Sequence, residues 1–326
     1  MDNLCHTLAG AVLAETGLKT RTARGTATLL LASNLPDVDV LVFATNTLPM
    51  SFRRGWTHGV LAMALLPLAF AAVMYVAARM LPSRSTRPRA NSPPLRFRWL
   101  LALSYLGTWL HVFMDFLNSY GVRLLMPFSG RWFYGDALYI VDPVLYVIFG
   151  AALVLGRRQA WTAGDGRSMP RVGLAVAATY MLLMLASNAW ARETVRSGLV
   201  RAGRSPETRF MVTPVFGNPF KREVVIDLGP RYEKGFIWFQ PAPHLRPAGY
   251  GVDTYANEPF AQQAAQTPVG RAYLRWSRFP FFVVKRTSPM VQVQLNDYRY
   301  AGPNGRDTWL STTVELPAQM AVPPVQ

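Results

Sequence analysis

Cysteine is almost absent from this 326-residue chain: Cys5 stands alone, which excludes an intramolecular disulfide framework and leaves the redox compartment unmarked. Acids are scarce too. There are 18 against 34 lysines and arginines, and only eight acids fall in the first 190 residues. A net charge of +16 can signal a nucleic-acid partner, but the basic residues gather in the loops between apolar runs. That is a pattern of membrane orientation, so no nucleic acid is expected. Also missing are a G-x-S-x-G elbow, a P-loop and a dinucleotide fingerprint. The opening MDNLCHTLAGAVLAETG has no basic leader, no long apolar core and no small-residue cleavage site, so no cleavable signal is expected. Internal repeats are absent, and the one biased stretch is the Arg/Ser/Pro-rich loop near residue 85.

What the chain has in abundance is apolar surface. At 51% hydrophobic and 16% charged residues it is too apolar for an ordinary soluble protein. Gly59–Ala78 and Val172–Ala191 hold no charge, while Trp99–Met114 and Ala137–Gly156 are apolar apart from His111 and Asp142. A helix needs about 20 such residues to cross a bilayer core, so four spans are expected. The loop 81–98 carries Arg84, Arg87, Arg89, Arg96 and Arg98 without an acid, and 157–171 carries four arginines against Asp165. Both loops are expected on the cytoplasmic side, with 115–136 and everything after the fourth span outside. Arg53 and Arg54, at the outer end of the first span, run against the larger asymmetry.

Residues 1–55 read as two short helices, HTLAGAVLAETG and TATLLLASNLPDVD, joined by a basic turn with Lys19, Arg21 and Arg24. Neither is long enough to span, so an interfacial or re-entrant placement is open, and the LPD step should end the second helix. Beyond Pro206, RFMVTPVF, REVVIDLG, GFIWFQP, FPFFVVKR, VQVQLNDYRYA and WLSTTVEL are β-rich runs interrupted by one helical stretch, Pro259–Trp276. The expected fold is an all-α membrane bundle over 1–195, about four transmembrane helices plus the short N-terminal ones, followed by a mainly β extracytoplasmic domain over 206–326.

Five of the eight early acids, Asp37, Asp39, Asp115, Asp136 and Asp142, lie in or beside apolar segments, with three of the four histidines, His6, His58 and His111. Such groups are expensive at membrane depth, so they pair, line a cavity or bind an ion. At 1.5 Å per helical residue, His111 stands roughly 20 Å from Arg98, Asp142 roughly 22 Å from Arg157 and His58 about 30 Å from Arg79. All three therefore approach the outer side. His111 and Asp115, at i and i+4, share a helix face and can hold one metal or bridge two. In LPDVD, Asp37 and Asp39 face the same way only if extended, so Asp37 is the expected ligand and Asp39 a supporting group or base. Asp142, inside the apolar run, is the other expected catalytic carboxylate.

Each residue also has a plainer reading. Asp115 can mark the end of a span and His111 bond a neighbouring helix; LPDVD can be a stop; Thr57 can cap the helix after His58; His6 can sit at the interface; Asp136 can cap the helix before Asp142. Arg53, Arg54 and Arg123 could hold a phosphate, though a headgroup contact or solvated charge is the favoured reading. His244, in PAPHLRP, reads as a loop residue. Mixed histidine and carboxylate donors suit Zn²⁺, with Mn²⁺ or Fe²⁺ as alternatives, better than Ca²⁺ or Mg²⁺.

The ordered set DNLCHTLAGAVLAETGL, ASNLPDVDVL, RRGWTHG and HVFMDFLNSYGVRLLMPFSGRWFYGDALYIVDP resembles the YdjM-like family of bacterial membrane-bound metal-dependent hydrolases over roughly residues 1–155. That family is distantly similar to zinc-dependent phospholipase C and the single-strand nucleases of the same helical fold. The resemblance implies a metal site of His6, Asp37, His58, His111 and Asp115, supported by Asp136 and Asp142, in a bacterial inner membrane. The soluble relatives use more histidines and a free amino-terminal residue. With three histidines here, one or two ions are expected rather than three. The expectation is a membrane-bound hydrolase in which a metal-activated water, helped by Asp39 or Asp142, attacks a lipid headgroup phosphoester at the outer rim of the bilayer. The rival is a non-catalytic envelope or stress protein with a structural metal or a polar helix-bridging cluster and a partner-binding outer domain. Amide or ester hydrolysis is a third possibility.

Overall fold

A computed structural model describes residues 1–45, 48–81, 93–239, 243–306 and 308–318. The chain divides into one unit of Met1–Thr45 with Phe52–Ser187, and another of Asn46–Ser51 with Asn188–Gln326. Arg84, Arg87 and Arg89 of the basic loop lie outside the described residues.

The helical unit opens with α1, Asn3–Glu15, started by Asp2, whose side chain accepts from the Leu4 and Cys5 amides. After the basic turn comes α2, Gly25–Ala32. The chain then re-enters as a 3-10 helix, Leu35–Ala44, with Pro36 in its first turn. The LPD step thus ends one helix and starts a tighter one. A single turn, α3 (Pro49–Phe52), leads to α4, Val60–Met80, and then α5, Phe97–Phe116. The last two are α6, Pro143–Ala163, and α7, Ser168–Arg201. α7 contributes its first residues to this unit and those from Asn188 to the other.

α4 and α7 are long and apolar enough to cross a membrane; α2 with the following 3-10 helix would make a third span if the pair, bent by 52°, counts as one. The other two expected spans, Trp99–Met114 and Ala137–Gly156, fall in helices that do not reach that standard. α5 turns Ser104, Gly107, Thr108, His111 and Asp115 inward. α6 starts only at Pro143, because Asp142 caps it, and ends in the polar stretch from Arg157 onward.

Two glycines set how closely α2 packs. A Cβ at Gly10 of α1 would meet Ser33 Oγ at 2.6 Å, and one at Gly107 of α5 would meet the Ala32 Cβ at 2.8 Å and the Ser33 amide at 3.0 Å. The end of α2 is therefore seated where both neighbours lack a side chain, as in small-residue packing between membrane helices.

The second unit contains an antiparallel meander of β1 (Phe210–Val215), β2 (Asn218–Asp227), β3 (Arg231–Trp238) and β4 (His244–Asp253). A second sheet is formed by β5 (Pro280–Thr287), β6 (Met290–Asp297) and β7 (Thr312–Pro317). Strand alternation explains the apolar pairs of β1 and β2. Val212 and Val224 face Ala191, Val195 and Leu199 of α7. Met211 and Val225 face the other way, toward Phe279, Phe281 and Tyr298. The meander is covered on both faces.

Two expectations are corrected here. His244 begins β4, and does not lie in a loop; Pro247, Gly249 and Gly251 disguise that strand, and its pairing with β3 slips between Glu233 and Gly235. The helical stretch is two helices, α8 (Pro259–Gln266) and α9 (Pro268–Trp276), each opened by a capping side chain, Glu258 or Thr267, before a proline.

Candidate metal centre

Four residues from distant parts of the helical unit meet in its interior. Asp37, His58, His111 and Asp115 each offer one donor atom, and these atoms all lie within 4.8 Å of one another. Three of them are fully buried and Asp37 is 5% exposed. Asp37 comes from the 3-10 helix, His58 from the turn before α4, and the other two from one face of α5.

The hydrogen bonds behind the ligands decide what the front atoms can do. His111 Nδ1 lies 2.8 Å from the Ser33 carbonyl. A carbonyl only accepts, so Nδ1 carries the proton and Nε2 presents its lone pair. His58 Nδ1 is 2.9 Å from Thr57 Oγ1 and 3.6 Å from Asp39 Oδ2. Asp39 in turn accepts from the Arg54 amide at 2.7 Å and from Thr57. A proton on His58 Nδ1 satisfies this chain, and again leaves Nε2 as an acceptor. The two Nε2 atoms stand 3.3 Å apart. Asp115 Oδ2 lies 3.3 Å from one and 3.5 Å from the other, and Asp37 Oδ2 is 3.8 Å from His111.

Electron pairs therefore converge without a proton between them, and neither Asp115 Oδ2 nor Asp37 Oδ1 accepts a hydrogen bond among the described residues. Acceptors buried this way repel one another unless a cation joins them. The group fits a divalent metal of the borderline class that takes nitrogen and oxygen donors.

Asp115 divides its work between its oxygens. Oδ1 is ion-paired with the Met1 amino group and with Arg54 Nη2 at 3.1 Å, and lies 3.4 Å from His6 Nε2. His6 stacks on His111 with ring centroids 3.7 Å apart, and neither of its nitrogens has a hydrogen-bond partner among the described residues. It lies beside the four donors, not among them. An amino-terminal group was not among the expected ligands of this chain, yet that of Met1 reaches the same carboxylate.

The other expected residues separate into distinct places. Asp39 stands behind His58, and Arg53 Nε is 3.4 Å from its Oδ1. Asp142 is the cap of α6, accepting from the Val144 and Leu145 amides and from the Tyr180 hydroxyl. The capping role that is the plainer reading of Asp136 belongs to Asp142; Asp136 is buried in the preceding loop with a positive φ of 51°. Thr57 bonds Asp39 and His58 and does not cap α4, whose first cap is Gly59.

The arginines are not the solvated charges that the sequence favours. Arg54 is buried, pairs with Asp115, donates to Asn118 Oδ1 at 3.1 Å and lies over Tyr120. Arg123 is buried over Trp132 and donates to the Arg53 carbonyl. Only Arg53 keeps some exposure, 26%, while reaching Asp37 and Asp39. Sequence reasoning missed Asn118 and Ser33. Asn118 lies three residues beyond Asp115, past the end of α5, where its side-chain amide reaches Asp115 Oδ1 at 3.5 Å; a backbone carbonyl such as that of Ser33 leaves no side-chain signal.

Residues 1–192 match the YdjM inner membrane protein family. The chain belongs to that family. The YdjM match spans every residue of the metal group and runs into α7. The uncharacterized protein YfhP of Bacillus subtilis (strain 168) is 30% identical over 136 residues, 41% of this chain and 36% of its own length. The alignment thus spans about a third of that relative. No solved structure matches. The family and the apolar helices α4 and α7 together assign this YdjM protein to an inner membrane.

Proposed function

We propose that this YdjM protein is a membrane-bound metal-dependent hydrolase acting on a phosphoester, a lipid headgroup being the favoured substrate. The observation that carries the reading is the convergence of two imidazole lone pairs and two carboxylates with no proton between them. Asp37, His58, His111 and Asp115 would hold the ion. A divalent ion there supplies Lewis acidity toward a phosphoryl oxygen and lowers the pKa of coordinated water toward 7.

The remaining groups have separable tasks. Asp39 and Ser33 fix the ring orientation and protonation of the two histidines. Arg54 balances the charge of Asp115. Arg53, partly exposed beside Asp37, is the cation placed to meet a phosphate. Asp39 and Asp142 are already engaged by donors, so Asp37 Oδ1 is the carboxylate oxygen best placed to accept a proton. In this reading the cluster faces the outer side of the membrane and the β unit is extracytoplasmic, an orientation that the arginine-rich loops support.

A second reading rests on one observation: four donors converge, enough to fill a tetrahedral shell. A shell with no open position is the mark of structural metals. Elemental analysis of the detergent-purified chain, with a screen of phosphodiesters and phosphomonoesters, separates the two. The hydrolase reading expects stoichiometric metal and turnover, both lost in His111→Ala and Asp115→Ala. Bound metal without turnover of any phosphoester would establish the structural role instead.

A further inference from the structure

At the other end of the helical unit, where α1 ends, α6 ends and α7 begins, lies a cavity of about 480 Å³. It shares no residue with the metal group. Glu15, on its wall, is nine residues along α1 from His6, ~14 Å at the helical rise.

Three cations line it: Lys19, Arg157 and Arg167. Gly17, at φ +111°, is followed so closely that the Arg167 side chain stands 3.3 Å from where a Cβ would be. The turn before α7 presses on α6, since a Cβ at Gly166 would meet the Gly156 carbonyl at 2.3 Å. These contacts form the floor. Lys19 pairs with Glu15 and Arg167 approaches Asp165 at 3.7 Å, both well exposed pairs of the kind that contribute little and rearrange readily. Arg157 has no acid within ion-pair distance among the described residues.

Trp161 also lines the cavity and is 93% exposed. A tryptophan so placed is costly in water and customary at a bilayer boundary, where the ring meets lipid and the N–H meets headgroups.

We propose that this cavity seats the phosphate of an anionic phospholipid, with Arg157, Lys19 and Arg167 as its cations and Trp161 against the glycerol backbone. The volume suits a headgroup and is far larger than a free phosphate requires. Basic pockets at the cytoplasmic ends of membrane helices take such lipids. The proposal is independent of the hydrolase reading; it rests on the membrane assignment and on the expected cytoplasmic placement of these helix ends.

The test is native mass spectrometry of the full chain released from mixed vesicles of phosphatidylglycerol and phosphatidylcholine, with inorganic phosphate as a separate arm. Wild type should retain phosphatidylglycerol in strong preference. Lys19→Ala with Arg157→Ala should lower that preference about 30-fold, two cations near a charged surface, while Lys19→Arg with Arg157→Lys keeps it. Lys285→Ala with Arg275→Ala, an equal charge loss on the β unit, should leave it unchanged. Equal retention of the two lipids, an unaltered preference in the first variant, or displacement of lipid by millimolar phosphate would each overturn the proposal.

Discussion

Both units bury an aspartate beside an arginine, and the two carboxylates could hardly be treated more differently. Asp297, in the β unit, accepts from the Arg299 amide and Nε on one oxygen, and from Ser277, the Arg278 amide and Arg299 Nη2 on the other. Each oxygen is saturated. Asp115, in the helical unit, crowds its donors onto Oδ1 and leaves Oδ2 with none, facing two imidazole nitrogens. A buried charge whose every lone pair is answered from within is architecture, whereas one left half-answered is aimed at something the chain does not itself supply.

The largest test of this contrast is removal of the saturated carboxylate. Asp297→Ala strands Arg299, which also donates to the Trp276 carbonyl and lies beside the stacked rings of Trp276 and Tyr300, and should cost about 3 to 5 kcal/mol in thermal or denaturant unfolding of the β unit. Metal content should stay at the wild-type value. If Asp297→Ala lost metal, the distinction between the two aspartates would fail.

Next in size is Asp39→Asn, which keeps shape but weakens the hold on His58 Nδ1. Metal affinity by competition with a chelator should drop 10- to 100-fold, the usual penalty for loosening the group behind a ligand, with unfolding little changed.

The smallest effect is on acid tolerance. Burial alone would raise Asp297, but Arg299 and the surrounding hydrogen bonds outweigh it and hold the carboxyl below its ordinary value. A depressed folded value means that this stabilisation is complete above the unfolded carboxylate range, near 3.9, and fades only as pH falls below it toward the folded value. Metal binding needs deprotonated donors and so weakens as pH falls. On acidification metal should leave while the β unit stays folded, measurable by parallel elemental analysis and circular dichroism. Simultaneous loss would count against separate behaviour of the two regions.

The metal group was legible in sequence for an energetic reason: Asp37, His58, His111 and Asp115 stand in runs where an unpaired ionisable group is costly, so each needed a partner from elsewhere. Depth along the helices brought them to one side. At Asp142, the other expected catalytic carboxylate, the same cost is met locally by capping, with Pro143 immediately after it. Composition would leave Arg54 in water, whereas its guanidinium is buried against Asp115 and Asn118, partners that only the fold brings together. In the β unit, alternating runs gave most of the strands, while β4 escaped because its strand-breaking residues are accommodated at an irregular pairing. Thr267–Pro268 divides a stretch that hydrophobic spacing alone would join.

The glycines at 10 and 107 touch no ligand, yet they let the carbonyl of residue 33 come near enough to own a proton on His111. A single methyl group at either place would shove that carbonyl outward and free the imidazole to choose its other tautomer. The readiness of this centre to accept an ion is thus governed by what two backbone positions leave out, and alanine scanning aimed at the ligands alone would never find them.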